Sequence, residues 1–285
     1  MKLVLGTVQF GLNYGITNDA GQVKSKDVAD IIEHANKSNI SMLDTASAYG
    51  NSESVLGSLA TQNFMVISKV PSVAALKTSI HDCINQSLEN LKRKSTYGVM
   101  LHDEADLLSS KKPYDELIKA KENKLVKKIG CSFYTVDALK QAFDMNYQLD
   151  LIQIPLNCLD QRFLVSGILE EAKKRGVEVH CRSLFLQGLL LDSNANLPKK
   201  LIPFKSVLDK FFDFCKVYNL TPLETTLKFL QQADMIDYGV VGCISKLQLS
   251  EITTAYKKIQ NLERYFDFRE LSSEDDILIN PTLWN

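Results

Sequence analysis

The stretch Leu76–Cys131, LKTSIHDCINQSLENLKRKSTYGVMLHDEADLLSSKKPYDELIKAKENKLVKKIGC, decides the fold class. Apolar residues recur at Leu76, Ile80, Ile84, Leu88 and Leu91, the i+3 and i+4 spacing of an amphipathic helix. A short β-rich run, Tyr97–Leu101, follows. A second helical pattern, Tyr114–Glu122, then leads to another such run at Lys127–Cys131. Strands that alternate with helices in this way pair in parallel.

The alternation continues outward in both directions. Upstream, the runs Leu3–Gly6, Ile40–Asp44 and Phe64–Ser68 are separated by helical patterns at Val28–Asn36 and Ser52–Ala60, the first with Asp27 or Ser25 as its expected N-cap. Downstream, helix Val136–Asp144 leads to strand Leu151–Ile154. Helix Val165–Arg175, stopped by Gly176, leads to strand Val177–Arg182. A longer insertion carries helix Lys205–Tyr218 and a helix opened by Thr221-Pro222, where Glu224 completes a capping box. Tyr238–Gly242 is the eighth strand and Leu247–Gln260 the last helix. The tail from Ser272 is acidic, then apolar, and is expected to fold back over the surface.

Eight strands alternating with helices in 285 residues predict an α/β chain folded as one (β/α)8 TIM barrel over residues 1–285, because such barrels take roughly 250 residues. A doubly wound open sheet is the runner-up. Such sheets usually carry G-x-G-x-x-G after the first strand. Here Gly6-Thr7-Val8-Gln9-Phe10-Gly11 lacks the middle glycine.

Composition narrows the function classes. Hydrophobic residues make up 45% and charged residues 24%, ordinary values for a chain with a large core. The net charge of -1 and the absence of any basic run beyond Lys111-Lys112 and Lys127-Lys128 argue against a nucleic-acid partner. No apolar run approaches the ~20 residues of a membrane span, and no signal peptide is read after Met1. The six cysteines form no C-x-x-C pair and no zinc spacing. They read as reduced and mostly buried, which places the chain in the cytoplasm, and no metal site is expected.

Barrel chemistry sits at the C-terminal ends of the strands. Asp44 ends the second strand, Lys69 the third and His102 the fourth, and Tyr49 lies in the loop after Asp44. One such residue is more often a cap or a solvated side chain; together they compose a proton-transfer site. A phenol at its ordinary pKa of about 10 is a weak acid at neutral pH, and an adjacent ammonium lowers it. Asp44 would hold Lys69 charged, and a neutral His102 would steer a carbonyl. Lys69 also allows a second chemistry, a Schiff base as in aldolases.

These residues resemble the aldo-keto reductase family. The match runs through Leu5-Gly6-Thr7, Met42-Leu43-Asp44-Thr45-Ala46 with Tyr49-Gly50, Ser68-Lys69, Leu101-His102-Asp103, Ile129-Gly130-Cys131-Ser132, Gln153 and the segment Gly242–Glu251. The resemblance implies reduction of a small-molecule carbonyl, with NADPH as first choice of cofactor and NADH as the alternative. It implies that Asp44, Tyr49, Lys69 and His102 are catalytic, and that Gly6, Thr7 and Asp44 lie at the nicotinamide. Ser132 and Gln153 would bind its carboxamide, and Gln187 and Gly188 would approach the pyrophosphate. Gly242, Gln248 and Glu251 would lie at the adenosine, with Lys246 or Ser245 reaching a 2′-phosphate. The sequence departs from the family where Arg182-Ser183-Leu184 replaces an aromatic-Ser-Pro segment and where Phe133 follows Ser132. Arg182 could stack on the nicotinamide, or point to an anionic or polyhydroxylated substrate. Some relatives act as cofactor-binding regulatory subunits with little turnover, which is a further reading.

Overall fold

The computed structural model describes residues 2–284, so the first and last residues of the expected span lie outside the description. Eight parallel strands close into a barrel in chain order. They are β1 (Lys2–Gly6), β2 (Met42–Asp44), β3 (Met65–Val70), β4 (Thr96–Leu101), β5 (Val126–Ser132), β6 (Leu151–Pro155), β7 (Glu178–Arg182) and β8 (Tyr238–Gly242). The barrel closes where Lys2 pairs with Tyr238 and Gly6 with Gly242. This is the expected (β/α)8 architecture.

Alternation along the strands sorts their side chains into two cores. Leu5, Leu43, Val66, Val99 and Ile129 face outward and pack under the helices. Val4, Met42, Ile67, Met100 and Leu151 face inward and fill the barrel. Two residues further along four of these five inward rows the chemistry changes. Met42 is followed by Asp44, Ile67 by Lys69, Met100 by His102 and Leu151 by Gln153. The period of two thus raises a polar layer directly above the apolar one.

The opposite end of the barrel is closed by an ionic floor. Glu178 accepts from Lys128 Nζ at 2.7 Å and from the Tyr97 hydroxyl at 2.8 Å, and lies 2.7 Å from His180 Nε2. The His180 ring stacks on Tyr238 with centroids 4.7 Å apart. Burial would push Glu178 up, but hydrogen bonds from His180, Lys128 and Tyr97 outweigh it and hold the carboxyl down at about 2.

Several helix ends differ from the sequence reading. The first long helix, Ser25–Lys37, takes in both expected caps and has no side-chain cap. The helix expected from Leu76 begins at Ile80, because Ser79 accepts from the Asp82 amide and so sets the N-terminus. The helix expected over Val165–Arg175 is two pieces, Arg162–Val165 and Ile168–Lys174. Gly167 between them sits at φ 77°, a left-handed conformation no helix continues through. The capping box of helix Pro222–Gln232 is present in full: Glu224 N donates to Thr221 Oγ1, and Thr221 N to Glu224 Oε2. Phe211, Phe212 and Phe214 are buried, against Phe268 among others, and all six cysteines are buried and free. The tail does fold back: Leu278 and Ile279 are buried, and the Trp284 indole donates to Ile277 O at 2.7 Å. Among the described residues no helix is long and apolar enough to cross a membrane.

Candidate active site

Tyr49 lies on the loop between β2 and helix Ser52–Ser58. Two glycines place that loop. A Cβ on Gly11 would stand 1.8 Å from the Tyr49 carbonyl oxygen and 2.5 Å from Ser52 N. Gly50, at φ +56°, approaches Gly11 O so closely that its own Cβ would stand 2.3 Å away. Only glycine permits both contacts. Ser52 Oγ lies 2.9 Å from both Thr7 O and Thr7 Oγ1, and Thr7 Oγ1 donates to Asp44 O at 3.0 Å. The loop is thereby tied to the ends of β1 and β2.

The strand ends bring the four expected residues together. Lys69 Nζ donates to Asp44 Oδ1 at 2.5 Å and to Thr45 O at 3.1 Å. Gln153 Nε2 donates to the other Asp44 oxygen at 2.8 Å. The side chains of Lys69 and Asp44 are 1% and 4% exposed, so the ion pair is shielded from water. Lys69 Nζ stands 5.2 Å from the centre of the Tyr49 ring. The His102 ring meets that ring edge-on, with centroids 5.9 Å apart. Asp103 caps helix Glu104–Ser109 by accepting from Ala105 N.

The electrostatics differ from the sequence expectation at Tyr49. Burial pushes the phenol above its ordinary value, Asp44 adds to the rise, and Arg182 pulls against it. Desolvation therefore outweighs the Arg182 guanidinium, and Tyr49 holds its proton throughout the neutral range. His102 is pushed down to about 4 by burial, Lys69 and Arg182, against Asp44 and Asp103, so its ring is neutral at pH 7. Burial lowers the Lys69 pKa, and the charge and hydrogen bond of Asp44 oppose the fall.

A cavity of about 1080 Å³ opens above this cluster, more than the roughly 300–1,000 Å³ of one drug-sized ligand. Asp44, Tyr49, His102 and Gln153 line it, with Gly6 and Thr7. Arg182, Ser183 and Leu184 line it as well, with Gln187 and Gly188. Gly242, Gln248 and Glu251 are also part of the lining. Lys69 lies behind the wall, and Ser132 and Lys246 are not lining residues. Sequence reasoning missed Gln9, Tyr134, Thr221 and Lys258, all of which line the cavity. Tyr134, two residues beyond the end of β5, carried a usable signal; Thr221 and Lys258 arrive from distant helices and carried none. Ser132 Oγ, Gln9 Oε1 and Arg182 Nη2 are buried without hydrogen-bond partners among the described residues. The β1 loop crosses the β7 loop above the cavity: Ile16 N donates to Gln187 Oε1 at 3.2 Å and Thr17 Oγ1 to Gln187 O at 3.1 Å. Among the described residues no cluster of three or more His, Cys, Asp or Glu side chains could hold a metal ion.

Fold and site converge with the sequence comparison. The model of the aldo/keto reductase family matches residues 2–267, and the chain belongs to that family. It is accordingly an NAD(P)H-dependent oxidoreductase acting on carbonyl groups. No curated protein matches it in sequence. Solved structures share the barrel. A provisionally assigned aldo-keto reductase from Pseudomonas aeruginosa is 20% identical, with a TM-score of 0.68 over 91% of this chain and 90% of that one. An aldo-keto reductase from Bacillus halodurans in its holo form is 18% identical, with a TM-score of 0.67 over 94% and 95%. A variant of Gox0644 in complex with NADPH is 14% identical, with a TM-score of 0.68 over 96% and 90%.

Proposed function

We propose that the chain reduces an aldehyde or ketone to an alcohol with NADPH, and that Tyr49 supplies the proton. The observation that carries this reading is the water-shielded Lys69–Asp44 pair, with Lys69 Nζ 5.2 Å from the centre of the Tyr49 ring. A nicotinamide held by Gln153 and its neighbours would supply the hydride for the carbonyl carbon. Tyr49 Oη gives its proton to the carbonyl oxygen, and the Lys69 ammonium offsets the phenolate charge left behind. Asp44 keeps Lys69 charged and in place. The neutral His102 ring hydrogen-bonds the carbonyl oxygen and orients it.

The wall residues suit an extended dinucleotide. Gly6 and Thr7 would lie beneath the nicotinamide, and Gln153, with the unpartnered hydroxyl of Ser132, would hold its carboxamide. Ser183, Leu184, Gln187 and Gly188 would follow the pyrophosphate, and Gly242, Gln248 and Glu251 the adenosine. For the 2′-phosphate, Lys246 or Ser245 would reach it from the start of the last long helix; Lys258 lines the cavity but is paired with Glu224 at 2.5 Å. The Schiff-base alternative finds no support: Lys69 is 1% exposed and bonded to Asp44 and Thr45 O, whereas an attacking amine must be neutral and reachable.

Fluorescence titration with NADPH and with NADH, followed by turnover of Tyr49→Phe, tests this. Saturable binding that favours NADPH is expected. Loss of the Tyr49 proton donor lowers kcat by about 10²- to 10⁴-fold while cofactor affinity holds. Full turnover by Tyr49→Phe overturns the role of Tyr49, and a folded protein that binds neither cofactor overturns the reductase reading.

A further inference from the structure

The reacting end of the cavity holds one cation too many. Lys69 is matched by Asp44 at 2.5 Å. Arg182, at the C-terminal end of β7, has no carboxylate partner among the described residues. Its Nη1 makes a single long contact of 3.4 Å to Ser183 Oγ, and Nη2 is buried without a partner. The guanidinium packs on the Tyr134 ring, its Cζ 4.2 Å from the centroid. It lines the same cavity as Tyr14, Tyr49 and His102, and its charge acts on all three.

The neighbouring backbone is built to hold this arginine still. Ser183, which follows it, sits at φ 61°, a left-handed conformation uncommon for a residue other than glycine. The buried Asn157 fixes that turn by donating to Ser183 O at 3.1 Å, while its own oxygen accepts from Leu159 N and Asp160 N. Strain of this kind persists where a site needs it. Arg182 is half-buried, but a guanidinium N–H buried without an acceptor, as at Nη2, is costly until an oxyanion meets it. Its planar fork fits a carboxylate with two parallel hydrogen bonds, which an ammonium cannot match.

We propose that Arg182 selects the substrate by charge: it binds a carboxylate carried by the carbonyl compound whose C=O lies at Tyr49 and His102. The inference rests on the reductase reading above. A neutral substrate of the same shape leaves the guanidinium desolvated and unpaired, and is rejected for that reason. The other oxyanion within the site's chemistry is the cofactor's own phosphate, and the test separates the two.

Turnover is measured at saturating cofactor with pyruvate against methyl pyruvate, and with 4-carboxybenzaldehyde against its methyl ester. The two pairs place the charge near to and far from the carbonyl. The acid is expected to win in one pair by about 10- to 100-fold in kcat/KM, the range of a charge-assisted hydrogen bond, carried mainly in KM. Arg182→Met abolishes that ratio, and Arg182→Lys, which keeps the charge without the fork, retains a minor part. Calorimetric titration with benzoate and benzamide reads the same preference without turnover. Benzoate preferred through Arg182 by a protein that reduces nothing sinks the reductase reading alone. Equal handling of acid and ester together with no benzoate preference overturns the proposal. So does an acid preference unchanged in Arg182→Met, or a loss of NADPH affinity in that variant with the acid ratio intact, which would assign Arg182 to the cofactor.

Discussion

Replacing Asp44 by Asn removes a charge and changes almost no volume, so it isolates the electrostatics of the Lys69 pair. The two side chains are 1% and 4% exposed and 2.5 Å apart. Breaking a buried pair by neutralising one partner costs about 3–5 kcal/mol. An independent route gives a similar figure. Asp44 opposes the lowering of the Lys69 pKa by burial, through its charge and its hydrogen bond, and Asp44→Asn removes both. Lys69 can then escape its uncompensated charge by releasing its proton on folding. Relative to an unfolded lysine near 10.4, that release costs about 1.4 kcal/mol per pH unit, or about 4.6 kcal/mol at pH 7. The sign follows from the proton count. The unfolded variant binds one proton more than the folded one, so its stability rises with pH and the defect shrinks by about 1.4 kcal/mol per unit toward pH 9. Urea unfolding of wild type and Asp44→Asn at pH 6, 7 and 9 measures both numbers. A defect below about 1 kcal/mol that stays flat across this range would refute the claim that the pair is shielded from water.

Three other outcomes are expected. Gly11→Ala drives a Cβ to 1.8 Å from the Tyr49 carbonyl oxygen; it should destabilise the fold by about 2–3 kcal/mol and lower kcat, and thermal unfolding with turnover unchanged from wild type would show that the Tyr49 loop is not placed this way. Glu178, held at about 2 in the barrel floor, has a folded pKa below its unfolded one near 4.3. Its contribution is therefore present above pH 4.3 and lost as pH falls toward 2. After discounting for solvent screening, Glu178→Gln should cost about 2 kcal/mol at pH 7 and flatten this acid limb in unfolding titrations. His102, held down to about 4, binds fewer protons folded than unfolded between pH 4 and 6.5. Stability should thus fall as pH drops through that window, less so in His102→Gln, and the kcat/KM profile should show no limb near 6.5; a clear limb there that disappears in His102→Gln would count against a neutral, desolvated imidazole.

What the sequence alone determined is local and periodic. The i+3 and i+4 spacing from Ile80 to Leu91, the period-two strands and the cap at Thr221 are set by neighbouring residues, so the order of strands and helices could be read directly. That order implies a closed barrel. The barrel in turn gathers strand-end residues at one rim, which is why Asp44, Lys69 and His102 could be grouped without coordinates. The tertiary structure decided what depends on exclusion of water and on approach from distant elements. The sequence expectation had Lys69 lowering the Tyr49 pKa, but burial raises it, and burial belongs to the closed fold rather than to any spacing. Lys246, near in sequence to Gly242, stays outside the cavity wall, whereas Lys258, three turns along the same helix, reaches it. The break at Gly167 shows the same limit, since apolar spacing does not reveal which glycine turns left-handed. Arg182 combines both kinds of information: its place at a strand end was legible, but its contact with Tyr134 and, among the described residues, its unpartnered Nη2 and its lack of a carboxylate required the packed barrel. Charges in sequence have only neighbours, and a desolvated charge acquires its partner, or lacks one, only when the chain closes around it.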